Sequence, residues 1–285
     1  MKKSIAFLYW ISAITAIISA GAGIIFSFGS RSQIVTNIYG QTVTLLGSGV
    51  YANDSIMRAG AVIGTDIVVV IVACILIVTM VFFKKKPYLS LVQTGLLAII
   101  LYATTCLLLG TTFNRLFLFY ILQFSCTFFA FVLSLNKIIS KRSFVDQVYE
   151  QRNTALAIFM IISGCSVLQW LAYILPVMVF GTPMEIIDVY STEPTFVLDL
   201  GIILPTMIYC GIMLFKRKPI AYQLTPIMLI LLTGVAAFVI SQTFVQSSLG
   251  IVLRIEQLIG LVILFVVLGG LALLFNIRLL KQVKC

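Results

Sequence analysis

"GTDIVVVIVACILIVTMVFFKKKP", Gly64 to Pro87, sets one acid at the head of a long apolar run that closes on three lysines and a proline. "VLDLGIILPTMIYCGIMLFKRKP", Val197 to Pro219, has the same layout: Asp66 stands 21 residues before Pro87, and Asp199 stands 20 before Pro219. Runs of about 20 residues, at about 1.5 Å per residue, span a hydrocarbon core of about 30 Å as helices.

The rest of the chain follows the same pattern. Of its 285 residues 61% are hydrophobic and only 10% charged, and the mean hydropathy of +1.15 lies outside the range of a soluble globular domain. Eight apolar runs can be drawn, at 4–28, 61–83, 88–110, 115–136, 154–180, 197–215, 220–245 and 251–277. They are apolar all round instead of alternating residue by residue, which disfavours a β-barrel. The expected fold class is all-α, a polytopic transmembrane bundle of eight spans.

With the N-terminus in the cytoplasm, the inner segments hold 15 of the 19 basic residues but only Asp146 and Glu150 of the nine acids. Arg31, Arg58, Arg115 and Arg254 are the basic residues that fall elsewhere. The positive-inside rule then places both termini in the cytoplasm. The net charge of +10 comes in short clusters that abut span ends, so the expected partners are anionic lipid headgroups at the inner face and not nucleic acid. Met1 to Phe28 has the basic start and small residues of a secretory signal, yet its apolar run of about 24 residues exceeds the usual core of about 7 to 15. It reads as a retained first span, with Ala16, Ser19, Ala20 and Gly23 suited to close helix packing.

Much chemistry is excluded. The absence of histidine removes the usual haem ligand, the commonest zinc ligand and the His-dependent triads. Cys74, Cys106, Cys126, Cys165 and Cys210 are spread over five spans and Cys285 is the last residue, so no CxxC redox centre exists. Neither GxxxxGK[ST] nor GxGxxG occurs. No cofactor, metal site or catalytic residue is expected.

The repeated layout divides the chain into two four-span halves, 1–152 with an outer segment at 29–60, and 153–285. An even number of spans gives both halves the same orientation, a parallel repeat about an axis normal to the membrane. Asp66 heads the second span and Arg115 opens the fourth; Asp199 and Arg254 take the corresponding places in the second half. The halves differ in that Pro205 and Pro226 interrupt spans of the second only.

The candidate ligand-binding residues are therefore Asp66, Asp199, Arg115, Arg254, Asn114 and Tyr102, with Tyr190 and Gln242 at the same level. In one reading the aspartates bind a cation, a proton or an amine, and the arginines neutralise them in one state. In the other, two Asp–Arg pairs merely latch the bundle. The first points to a transporter-like or permease-like protein with an outward-facing polar site. The alternatives are a sensor or accessory subunit that binds a partner membrane protein or lipid, and a membrane-embedded enzyme using Asp66 or Asp199 as acid or base. The outer segment, with "IVTNIYG" and "TVTLLGSGVY", has the β-branched and aromatic content of a small hairpin or cap, and Glu185, Asp188 and Glu193 are expected to face it.

"GTDIVVVIV", "TTFNRLFLFYI" and "VLDLGIILP" resemble stretches of a widespread group of bacterial multi-spanning membrane proteins of about this length. The resemblance runs from about Asn53 to Lys218 and implies a bacterial integral membrane protein, with no activity attached. Its residue-for-residue matches are Asp66, Asn114, Tyr120, Asp199 and Pro205.

Overall fold

The computed structural model describes residues 3–27, 31–82, 88–140, 153–184 and 186–282. Over these the chain forms α1 (Ser4–Ile25), α2 (Ile56–Phe82), α3 (Leu89–Gly110), α4 (Phe117–Ser140), α5 (Thr154–Phe180), α6 (Pro194–Phe215), α7 (Pro219–Ser248) and α8 (Ile255–Lys281), each long and apolar enough to cross a membrane. The fold is an all-α multi-pass bundle, as the apolar runs require. The basic clusters 84–86 and 141–142, the acids Asp146, Glu150 and Glu185, and Cys285 lie outside the described residues.

Most boundaries fall where hydropathy puts them, but α2 begins at Ile56 instead of 61. Ser55 caps its first turn: the side-chain oxygen accepts the Arg58 N–H at 3.2 Å. Arg58 is thereby drawn into the helix, where hydropathy alone had left it in the loop. At the opposite end of the bundle Pro219 occupies the first turn of α7, where its missing N–H costs nothing.

Helices in a membrane gain little from hiding apolar surface, so their association rests on close contact. α7 is the axis of this bundle and lies against α2, α3, α6 and α8. The approaches of α2, α3 and α8 each have a glycine at a close point. A Cβ added at Gly64 of α2 would fall 2.5 Å from the Gln242 Cα, and one at Gly269 of α8 would fall 2.2 Å from the Ala236 Cβ. Gly95 and Gly234 similarly receive Ile230 and Ile99 between α3 and α7. α1 is a full member of the bundle, packed on α2 and α4, with buried Ala13, Ala16 and Ala20 and a 2.8 Å hydrogen bond between Tyr9 and Ser134.

Three helices change winding partway. α5 tightens to a 3-10 turn over Ser166–Trp170, while α6 and α8 widen to π turns over Asp199–Ile203 and Leu258–Ile263. In α6 the cause is Pro205, whose ring crowds the carbonyl four residues back and which has no N–H to donate. The helix absorbs an extra residue there, and the Leu204 N–H bonds the Asp199 carbonyl.

The segment between α1 and α2 contains a hairpin of β1 (Gln33–Thr36) and β2 (Thr42–Leu45), antiparallel, pairing Gln33 with Leu45 and Thr36 with Thr42. Its turn is closed by Asn37, whose side-chain oxygen accepts the N–H groups of Tyr39 and Gln41, both at 2.9 Å. Val43 and Leu45 point inward, and beyond them Leu46 and Tyr51 join a buried cluster with Ala59, Ile63, Leu107 and Tyr120. The hairpin thus covers one end of the bundle.

Gly64→Leu should lower stability by about 1 to 3 kcal/mol through overpacking at the α2–α7 contact. Gly21→Ala, where the added methyl meets nothing within 4 Å, should instead raise it by about 0.5 to 1 kcal/mol. Thermal midpoints of the two variants in one detergent check both signs.

Candidate functional site

A cavity of about 560 Å³ lies among the helices toward the hairpin end, and every one of the eight contributes to its wall. Its rim includes Val252, 92% exposed, and the exposed Arg254, so it meets the protein surface there. Both repeated aspartates line it, although they are themselves only 3% and 4% exposed. A carboxylate buried to that degree needs donors, and each has them.

Asp66 lies ten residues into α2, about 15 Å below its start at 1.5 Å per residue. The Tyr51 hydroxyl donates to its Oδ2 at 2.7 Å. Burial, and then the charge of Asp66, hold that hydroxyl well above the usual tyrosine range, so it remains the donor. Gly23 of α1 leaves the necessary space, because a Cβ there would fall 2.2 Å from Asp66 Oδ2 and 2.5 Å from the tyrosine oxygen.

Asp199 opens the π turn of α6. Tyr102 of α3 donates to its Oδ1 at 3.0 Å and the Trp170 indole N–H of α5 donates to its Oδ2 at 2.8 Å. Hydrogen bonds to a charged acceptor are worth about 1.5 to 3 kcal/mol each, enough to make this junction a substantial link between α3, α5 and α6.

Nearer the hairpin, Arg58 and Glu193 form a two-pronged ion pair, and the guanidinium lies 4.8 Å from the centre of the Tyr190 ring. The Tyr190 hydroxyl donates to Asp54 at 3.0 Å and the Thr112 N–H to the same oxygen at 2.8 Å. Ser55 donates to Asp188 at 2.6 Å, and Asn37 of the hairpin turn to the Asp188 carbonyl at 2.7 Å. Asp188 and Glu193 thus meet the hairpin segment and the first turn of α2. Deeper in the wall, Ser19 donates to Gln123 at 2.5 Å and Gln123 to Thr104 at 2.7 Å, a relay across α1, α4 and α3.

Of the residues proposed from sequence, Asp66, Asp199, Tyr102 and Arg254 line the cavity, as does Gln242, which donates to Thr65 at 2.8 Å. Asn114 instead closes the α3–α4 turn, accepting the Leu116 N–H at 3.0 Å, and Arg115 is exposed beside it; neither lines the cavity. The hydrogen bonds of both aspartates come from aromatic donors and not from Arg115 or Arg254. Tyr51, Arg58 and Trp170 were missed, and Glu193 was expected only to face the outer segment. Ser55 three residues before Arg58 is the one local signal that would have moved Arg58 into α2; nothing local marks Tyr51 or Trp170.

Burial alone would raise the Glu193 carboxyl, but the hydrogen bond and charge of Arg58 outweigh it and hold the group below its usual 4.5. A depressed folded-state value stabilises above 4.5 and is lost as pH falls through that lower value. Glu193→Gln should therefore be less stable than the parent at neutral pH, by about 3 kcal/mol for an orphaned buried partner, with the gap closing on the acid side. Asp54 acts with the opposite sign: burial raises it against the bonds from Thr112 and Tyr190, so its contribution fades as pH rises. Melting curves from pH 3 to 8 for the parent and Glu193→Gln measure the difference directly.

No protein-family model, curated protein or solved structure matches the chain, so its function is read from the chemistry of this cavity.

Proposed function

We propose that this is a transporter-like protein of the bacterial cytoplasmic membrane, with both termini in the cytoplasm, whose outward-facing cavity takes a cation at Asp66 and Asp199. The observation that carries the reading is that two buried carboxylates from α2 and α6 line one cavity that reaches the surface. Among the described lining residues Asp66, Asp188, Glu193 and Asp199 stand against Arg58 and Arg254, an acidic excess that favours a positive occupant. The orientation rests on the distribution of basic residues, and the bacterial setting on the sequence resemblance.

The division into halves 1–152 and 153–285 is part of the same proposal. Its support is the correspondence of neighbours: α1 lies on α2 and α3 on α4, as α5 lies on α6 and α7 on α8. Within the second half Phe159 of α5 also meets Phe275 of α8 at 4.9 Å between ring centres, as α1 meets α4 within the first, and across the halves α2 meets α7 as α3 meets the start of α6. In this proposal the cavity lies between the two units, and rocking of one against the other would open it to alternate sides.

Purified protein in detergent, melted against a panel of inorganic cations and amines, tests the site. A ligand at 100 times its dissociation constant stabilises by about 2.7 kcal/mol. That shift should occur in the parent and vanish in Asp66→Asn or Asp199→Asn. A panel without effect on any of the three proteins would remove the cation site and favour a role in binding a partner protein or lipid.

A further inference from the structure

The surroundings of Asp199 narrow the occupant further. Trp170 and Phe196 are 5.0 Å apart between ring centres, Tyr173 and Phe196 6.2 Å, and Trp170 and Tyr173 6.3 Å. Tyr102, which holds the other carboxylate oxygen, is stacked at 6.5 Å on Phe238. All five rings line the cavity beside this one acid.

An inorganic ion such as calcium collects six to eight oxygens, and magnesium about six at near-octahedral geometry. Asp199 offers two carboxylate oxygens, already bonded to an indole and a phenol, and no group of three or more potential acidic or thiol ligands occurs among the described residues. A cluster of aromatic rings beside a carboxylate, two of them donating to it from their polar edges, suits a different cation. An organic ammonium places diffuse positive charge within about 6 Å of several ring centres and keeps its alkyl substituents in an apolar wall. The lining also includes Val69, Val235, Val239, Leu261 and Phe265, which suit an apolar body attached to the charge.

We infer that the cavity binds an organic ammonium compound, with its charged nitrogen at Asp199 inside the aromatic group and its apolar portion along α7 and α8. The inference rests on the cation-site reading and specifies its ligand. Trp170 is one of two tryptophans, and the other, Trp10, is on α1 and absent from the cavity wall. Trp10→Phe therefore leaves a single tryptophan, the one that touches the acid.

In the Trp10→Phe protein, benzyltrimethylammonium should change Trp170 emission saturably, and its isostere neopentylbenzene, uncharged and equally branched, should not. Phe196→Leu should weaken binding by about fivefold, as loss of one ring face does. Asp199→Asn should weaken it by about thirtyfold or more, as loss of a buried charge partner does. The two variants guard against a folding defect in either, since each is compared at a matched thermal midpoint. Stabilisation by sodium, potassium or protons with no response to the ammonium would overturn the organic ligand and leave the cation site standing. Equal binding of the uncharged isostere would overturn both, as would a response to neither class.

Discussion

A carboxylate inside an apolar bundle must be met by donors, and the donors of Asp66 and Asp199 determine how the rest of the molecule is tied together. The donor to Asp66 comes from Tyr51, outside the helices, so the segment after the hairpin is anchored into the bundle by the same bond that satisfies the acid. The donors to Asp199 come from α3 and α5, so this acid links the first four helices to the last four. Gly23 is required by the first arrangement and the π turn before Pro205 positions the second. The two sites differ in detail, yet both solve one problem: a polar group placed where water is scarce.

The kind of donor matters as much as its presence. A guanidinium beside either aspartate would satisfy it and cancel its charge, leaving no attraction for a positive ligand. Tyrosine and indole donors satisfy the oxygens without bringing a positive charge of their own. The guanidinium of Arg58 is instead spent on Glu193, and this pair is neutral as a unit while it fastens α2 to the start of α6. Structural electrostatics and the acid pair on the cavity wall are thus kept apart, with the ion pair nearer the hairpin and the aspartates farther along their helices.

Eight spans, their order and the hairpin were legible because each rests on a local rule: length of an apolar run, or β-branched residues on either side of a turn. The repeated aspartates were legible as residues, being isolated acids in apolar surroundings. Their partners were not. Spacing from the basic clusters put Arg115 and Arg254 at the same level as the acids, but level along the membrane normal says nothing about rotation around the helix axes. Asn114 and Arg115 are absorbed by a turn, whereas Trp170 reaches Asp199 from 29 residues earlier and Tyr51 reaches Asp66 from a loop. Ser55 shows the other limit: a capping residue moved the start of α2 by five residues, and hydropathy has no term for a cap.

The same contacts indicate which wall of the cavity is fixed. Gly60 and Gly64 bring α2 against Gln246 and Gln242 of α7 with no room for a methyl group, and this contact is at the hairpin end, level with the cavity. α8 meets α7 closely farther down, at Gly269 against Ala236, and above that point it runs through its π turn. α6 has its π turn at Asp199 itself. A π turn holds one residue more than the regular helix, so the residues after it are rotated relative to those before it. With α2 packed directly on α7 and α6 interrupted by its π turn at the acid itself, Asp66 and Asp199, alike in sequence, stand on helices of different local winding.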